Sequence, residues 1–186
     1  MKKQSIRKHL RPFSIAGRGS TISHAFASAI ASVDKYDESA VDEAVRVLGQ
    51  DPSRELVCVY CGDEAETWDH VFPLVRGTQY SGYGHVLGNL VPSCGKCNTS
   101  KRNKDWAEFV GGSERIKSPV EVQATLKRYF MRFSPKQRDY KDTMTICSKE
   151  LREYELLRRE VLNLLKRADR LASEIRAKVE NERRSD

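Results

Sequence analysis

Residues 58–106 read CVYCGDEAETWDHVFPLVRGTQYSGYGHVLGNLVPSCGKCNTSKRNKDW. Two Cys-x-x-Cys turns stand in this stretch, Cys58/Cys61 and Cys94/Cys97, separated by 32 residues. A Cys-x-x-Cys turn points two thiolates at one point, and zinc takes four such ligands in a tetrahedron. A closed four-cysteine site leaves no open coordination position, so its expected role is structural. The competing readings are a redox pair or two disulfides. Nothing marks the chain as secreted, and paired Cys-x-x-Cys turns favour zinc.

The segment between the pairs carries a second chemistry. It contains Asp69-His70, then Gly88-Asn89-Leu90-Val91-Pro92, and ends in Cys97-Asn98 with Lys101. As an ordered set these residues resemble the HNH, or ββα-metal, nucleases, in the variant whose third position is Asn. The resemblance covers roughly a quarter of the chain. It implies a small antiparallel hairpin plus a helix. It also implies phosphodiester hydrolysis by one divalent ion, leaving a 5′-phosphate and a 3′-hydroxyl. The middle Asn of the family holds the loop that bears the base, and Asn89 takes that position.

Hydrolysis of a phosphodiester needs an activated water, charge stabilisation on the phosphate and help for the leaving 3′ oxygen. Neutral His70 can accept the proton of water, because an imidazole titrates near neutrality. Asp69 and Asn98 offer hard oxygens for Mg²⁺ or Mn²⁺. Neighbours on a strand point to opposite faces, so Asp69 and His70 reach one site only at a strand end or kink. Zinc would hold hairpin and helix together where so short a segment has little core of its own.

The chain of 186 residues has 33 basic and 26 acidic groups. Residues 1–19 are net +6, 20–53 net −4, 54–111 net −1, 112–144 net +4 and 145–186 net +2. Attraction to a polyanion must come mainly from the flanks of the motif. No apolar run approaches a membrane span, and no apolar stretch of adequate strength follows the basic N-terminus. A reduced, cytoplasmic setting suits thiolates that hold zinc.

Five segments are expected. Residues 1–20 form a basic flexible arm, suited to a DNA backbone or minor groove, or simply to solubility. Residues 21–53 read as two helices, the first capped at Thr21 or Ser23 and the second at Asp37 or Ser39, ended by Gly49 and Asp51-Pro52. Residues 54–111 are the nuclease core, with strands at 67–74 and 89–91. A Gly- and Tyr-rich loop, Arg76 to His85, lies between the strands and places Arg76 as a DNA contact. His85 is either a second base or an ordinary polar contact. A helix over 97–110 brings Asn98, Lys101 and Arg102 to nearby faces. Lys101, Arg102 and Lys104 would grip phosphates, Trp68 and Trp106 would pack, and Asn103 is a reserve ligand.

Residues 112–144 form a basic helical segment with its amphipathic helix at 119–133. Residues 145–186 lack Gly and Pro. They repeat Leu157, Val161, Leu164, Ala168, Leu171 and Ile175 at heptad spacing, a long helix and a candidate dimerising coiled coil. Leu156, Leu162 and Leu165 widen the stripe toward intramolecular packing. Cys147 stands apart as a free thiol. The fold class expected is α+β, a zinc-stabilised hairpin-and-helix core in mainly helical flanks. The function expected is a DNA endonuclease acting on double-stranded DNA as a homodimer, in restriction or defence. The alternatives are a zinc-dependent DNA-binding module and a nicking enzyme.

Overall fold

Strands β1 (Thr67–His70) and β4 (Leu90–Ser93) pair antiparallel, with Thr67 opposite Ser93 and His70 opposite Leu90. This hairpin is the frame of the computed structural model, which describes residues 3–8, 10–135 and 145–185. The chain divides into two units, His24–Ser148 and the pair Met1–Ser23 with Lys149–Asp186.

In the unit His24–Ser148, α2 (Glu38–Val47) starts where Asp37 accepts the amide of Ala40 and ends at Gly49, whose φ of 81° a side chain would resist. Helices α3 (Gly95–Lys101), α4 (Trp106–Gly112) and α5 (Pro119–Arg132) follow β4. The core joins Leu48 just after α2, Val71 and Val91 from the hairpin region, Phe109 and Val110 from α4, and Leu126 and Tyr129 from α5. The Tyr129 hydroxyl reaches the carbonyls of Leu87 and Leu90, which ties α5 to the hairpin. Arg132 pairs with Glu43 at 2.6 Å, joining α5 to α2.

Three boundaries differ from expectation. The first strand stops at His70 rather than 74, because Pro73 lacks an amide and the backbone of Phe72 is bonded by the Asn89 side chain instead of a strand. Residues 97–110 are two helices, not one. Arg102 takes φ 49° and ends α3, and Asp105 caps α4 by accepting from Ala107 and Glu108. The Gly-Tyr loop contains a short hairpin, β2 (Val75–Arg76) with β3 (Gln79–Tyr80), turning at Gly77 with φ 63°. The last part of the basic segment, 136–144, lies outside the described residues.

In the other unit, α6 (Ser148–Ser185) is one helix of 38 residues. Asp169 accepts from Ser14 Oγ at 2.7 Å and from the amides of Ile15 and Ala16 at 2.7 and 3.0 Å. Residues 14–16 are thus bound to the helix and are not part of a free arm. Buried Arg158 reaches Ser23 at 3.5 Å and pairs with Glu155 at 2.8 Å. No described helix is long and apolar enough to cross a membrane.

Candidate active site and metal centre

The four thiols converge as their spacing demands. The Sγ atoms of Cys58, Cys61, Cys94 and Cys97 all lie within 4.8 Å of one another, with Cys61 and Cys94 at 3.7 Å. Zinc–sulfur bonds of about 2.3 Å in a tetrahedron give sulfur–sulfur edges of about 3.8 Å, so the cluster fits a zinc ion. None of the four is in a disulfide. Arg115 donates to Asp63 at 2.7 Å and approaches Cys61 Sγ at 3.9 Å, a cation placed where thiolate charge gathers. Burial pushes the Cys97 thiol well above its usual range. Cys94 caps α3, so an ion held by the four thiols would fix the start of that helix to the end of β4.

The opposite end of the hairpin holds His70 and Asn89. Asn89 is fully buried. Its Oδ1 accepts from the Phe72 amide at 2.8 Å, and its Nδ2 donates to the carbonyls of Phe72 and Gly84, each at 3.0 Å. One side chain therefore clamps the backbone after His70 to the backbone before His85. His85 is fixed from its other side as well: its amide donates to Ser32 O at 2.7 Å and its carbonyl accepts from Asp34 at 3.1 Å. The result is a contact between His70 Nε2 and His85 Nδ1 of 2.9 Å, the rings inclined at 72°. Gly84 allows this approach, since a Cβ there would collide with Ser32.

Burial pushes His70 down from 6.5 to about 4, assisted by the charges of His85, of His24 on α1 (Gly19–Ile30) and of Lys101. It is a neutral imidazole at pH 7 and can accept a proton.

Strand alternation sends Asp69 to the other face, beneath α3. It is 4% exposed; Tyr60 Oη donates to Oδ2 at 2.6 Å and Lys101 Nζ lies 3.0 Å from Oδ2 and 3.4 Å from Oδ1. Lys101, fully buried, also donates to the His70 carbonyl at 2.7 Å. This corrects the expected phosphate contact: Lys101 is an internal cation. A signal for it was present, because Lys101 is four residues beyond Cys97 on the same buried helix face. Tyr60, inside the first Cys-x-x-Cys turn, was also missed. Arg76, Arg102 and Lys104 are exposed, as a phosphate contact requires, and Asn103 is exposed in the turn after α3. Trp106 packs edge-on against Phe130. Trp68 does not pack away: it is 45% exposed and lines a cavity of about 280 Å³ with His85 and Leu90.

With this geometry in view, the likeness to known proteins is specific. Residues 58–104 match the family model of the HNH endonucleases. The match spans the zinc cluster, the hairpin, α3 and the turn after it. No curated protein and no solved structure matches the chain. An HNH domain supports a nuclease or DNA-binding function, and HNH endonucleases in general use a divalent ion.

The residues expected to hold that ion do not fit it as arranged. Both Asp69 oxygens are engaged, by Tyr60 and by an ammonium that already neutralises the carboxylate. Asn98 is half-buried on α3 and makes no side-chain hydrogen bond among the described residues. The matched segment thus has a four-cysteine cluster that fits zinc and a close histidine pair, whereas the Asp69 carboxylate is closed to a second metal.

Proposed function

We propose that the chain is an endonuclease that hydrolyses phosphodiester bonds in double-stranded DNA, with His70 as the general base. A water attacks phosphorus and passes its proton to His70, the bond to the 3′ oxygen breaks, and that oxygen takes a proton from solvent, leaving a 5′-phosphate and a 3′-hydroxyl. The observation that carries this reading is the neutral, half-buried His70 at the free end of a zinc-anchored hairpin, inside the stretch that matches the HNH endonucleases. Asn89 positions the loop, and exposed Arg76, Arg102 and Lys104 supply phosphate contacts. A reducing, cytoplasmic setting suits the zinc thiolates, and restriction or defence is the role we assign.

A second copy of the chain is the partner proposed for α6. Leu157, Leu164 and Leu171 recur every seven residues and are 49%, 60% and 51% exposed. Two hydrolytic sites in one dimer would cut both strands.

The test is cleavage of supercoiled plasmid by wild type and His70→Ala at equal zinc content, without added ion, with Mg²⁺ and with Mn²⁺. Cleavage by the wild type alone is the expected result, and discrete bands would mark sequence-specific restriction. Equal cutting by His70→Ala removes His70 from the mechanism. Absence of cutting on unmodified, methylated and hydroxymethylated DNA leaves a DNA-binding module.

A further inference from the structure

We infer that His85 is a positioning residue of the hydrolytic site: its Nδ1 accepts the Nε2–H of His70, which leaves Nδ1 of His70 as the atom that takes the proton from water. This rests on the reading of His70 as the base. The distance of 2.9 Å between the two nitrogens requires one shared proton, and it can be shared in two ways. If His85 donated, neutral His70 would carry its only proton on Nδ1 and spend its only lone pair on His85. Such an imidazole accepts nothing from water. If His70 donates, its lone pair at Nδ1 is free.

The surroundings match the second arrangement. Among the described residues His70 Nδ1 has no hydrogen-bond partner. Among the described residues the sealed polar side-chain atoms without partners are Ser32 Oγ and Arg115 Nε, so His70 Nδ1 is open. The open atom lies on a ring whose other nitrogen is held, which is how an acceptor residue fixes the tautomer of a catalytic imidazole.

The contact is built from several directions, not from one flexible side chain. Asn89 binds the carbonyl of Gly84, immediately before His85, and both backbone groups of Phe72, two residues after His70. The backbone of His85 is bonded in both directions to the 32–34 segment. Lys101 holds the carbonyl of His70 itself. Each histidine is thus fixed at its backbone by other residues, and the ring-to-ring bond completes the arrangement.

The test uses the full, zinc-loaded chain labelled with ¹⁵N. Long-range ¹H–¹⁵N spectra at neutral pH report which ring nitrogen of each histidine is protonated. The expected result is an Nε2–H tautomer for His70 and an Nε2–H tautomer for His85. In His85→Ala the fixed tautomer of His70 is lost and kcat falls about 10-fold to 100-fold, the loss typical of removing the group that orients a working imidazole, with KM changed less than about threefold. His85→Asn puts an amide oxygen close to the position of Nδ1 and restores most of kcat. An Nδ1–H tautomer of His70 in the wild type overturns the inference, and so does full kcat in His85→Ala. If the wild type cuts no DNA, the nuclease reading falls with the catalytic role of His85, and the tautomers still decide whether the pair exists as drawn.

Discussion

Lys101→Met is the perturbation with the most to reveal. The ammonium is fully buried, 3.0 Å from Asp69 Oδ2, and its removal leaves that carboxylate 4% exposed with Tyr60 as its remaining side-chain donor. Burial pushes the Asp69 carboxyl up and the Lys101 ammonium down, despite their mutual attraction. Desolvation therefore outweighs the pairing at both partners, and neither charge is stable alone. Breaking such a pair at one partner costs about 3–5 kcal/mol, against a total stability of about 5–15 kcal/mol. For a chain of this length that is a fall in Tm of about 6–20 °C. The sign with pH is also set. A carboxyl raised in the folded state is easier to bury protonated, so the deficit of Lys101→Met should shrink as pH falls through the raised Asp69 value. Urea unfolding at pH 7.5 and pH 5 measures both effects. The double variant Asp69→Asn/Lys101→Met should recover much of the loss, with a coupling of at least about 2 kcal/mol. A loss below about 1 kcal/mol, unchanged by pH, would mean that the ammonium points to solvent and would return Lys101 to the phosphate contacts.

Three further outcomes are expected. Zinc removal by a strong chelator should unfold the hairpin region, seen as loss of near-ultraviolet dichroism with release of one zinc per chain; retention of the native spectrum after release would deny the ion its structural role. His70 is lowered from 6.5 to about 4, chiefly by burial, so its contribution to stability is complete above pH 6.5 and lost as pH falls through about 4; it is worth about 1–3 kcal/mol, and His70→Asn should flatten that slope in urea titrations. Leu164→Glu should shift sedimentation from dimer to monomer without loss of helix content, and a wild type that sediments as a monomer at tens of micromolar would remove the proposed α6 interface.

The convergence of the four cysteines and the clamp made by Asn89 were legible in sequence because they follow from short spacings. A Cys-x-x-Cys turn brings two sulfurs together whatever surrounds it, and a buried Asn beside a strand has few other uses. The positions of Asp69 and Lys101 were harder, because their pairing joins residues 32 apart and competes with the role each would have alone. Strand alternation set Asp69 and His70 on opposite faces, and the kink needed to reunite them is not there. His85 looked like a loop residue because its partners Ser32 and Asp34 lie about fifty positions earlier, and parallel bridging of that kind leaves no local pattern. The split after Lys101 was legible in part, since Asp105 is a good cap, yet the apolar spacing through Trp106 and Phe109 reads equally well as one continuous helix.

The Asn89 side chain joins residue 72 to residue 84 and so closes the intervening chain at its neck. The tip of that ring, with its short hairpin and exposed Arg76, carries none of the bonds that bring the two histidines together. Such a ring behaves as an interchangeable fitting on a fixed mount. If the chain cuts DNA as proposed, a tip of different length or sequence would change what the loop meets while the mount keeps His70 and His85 in place.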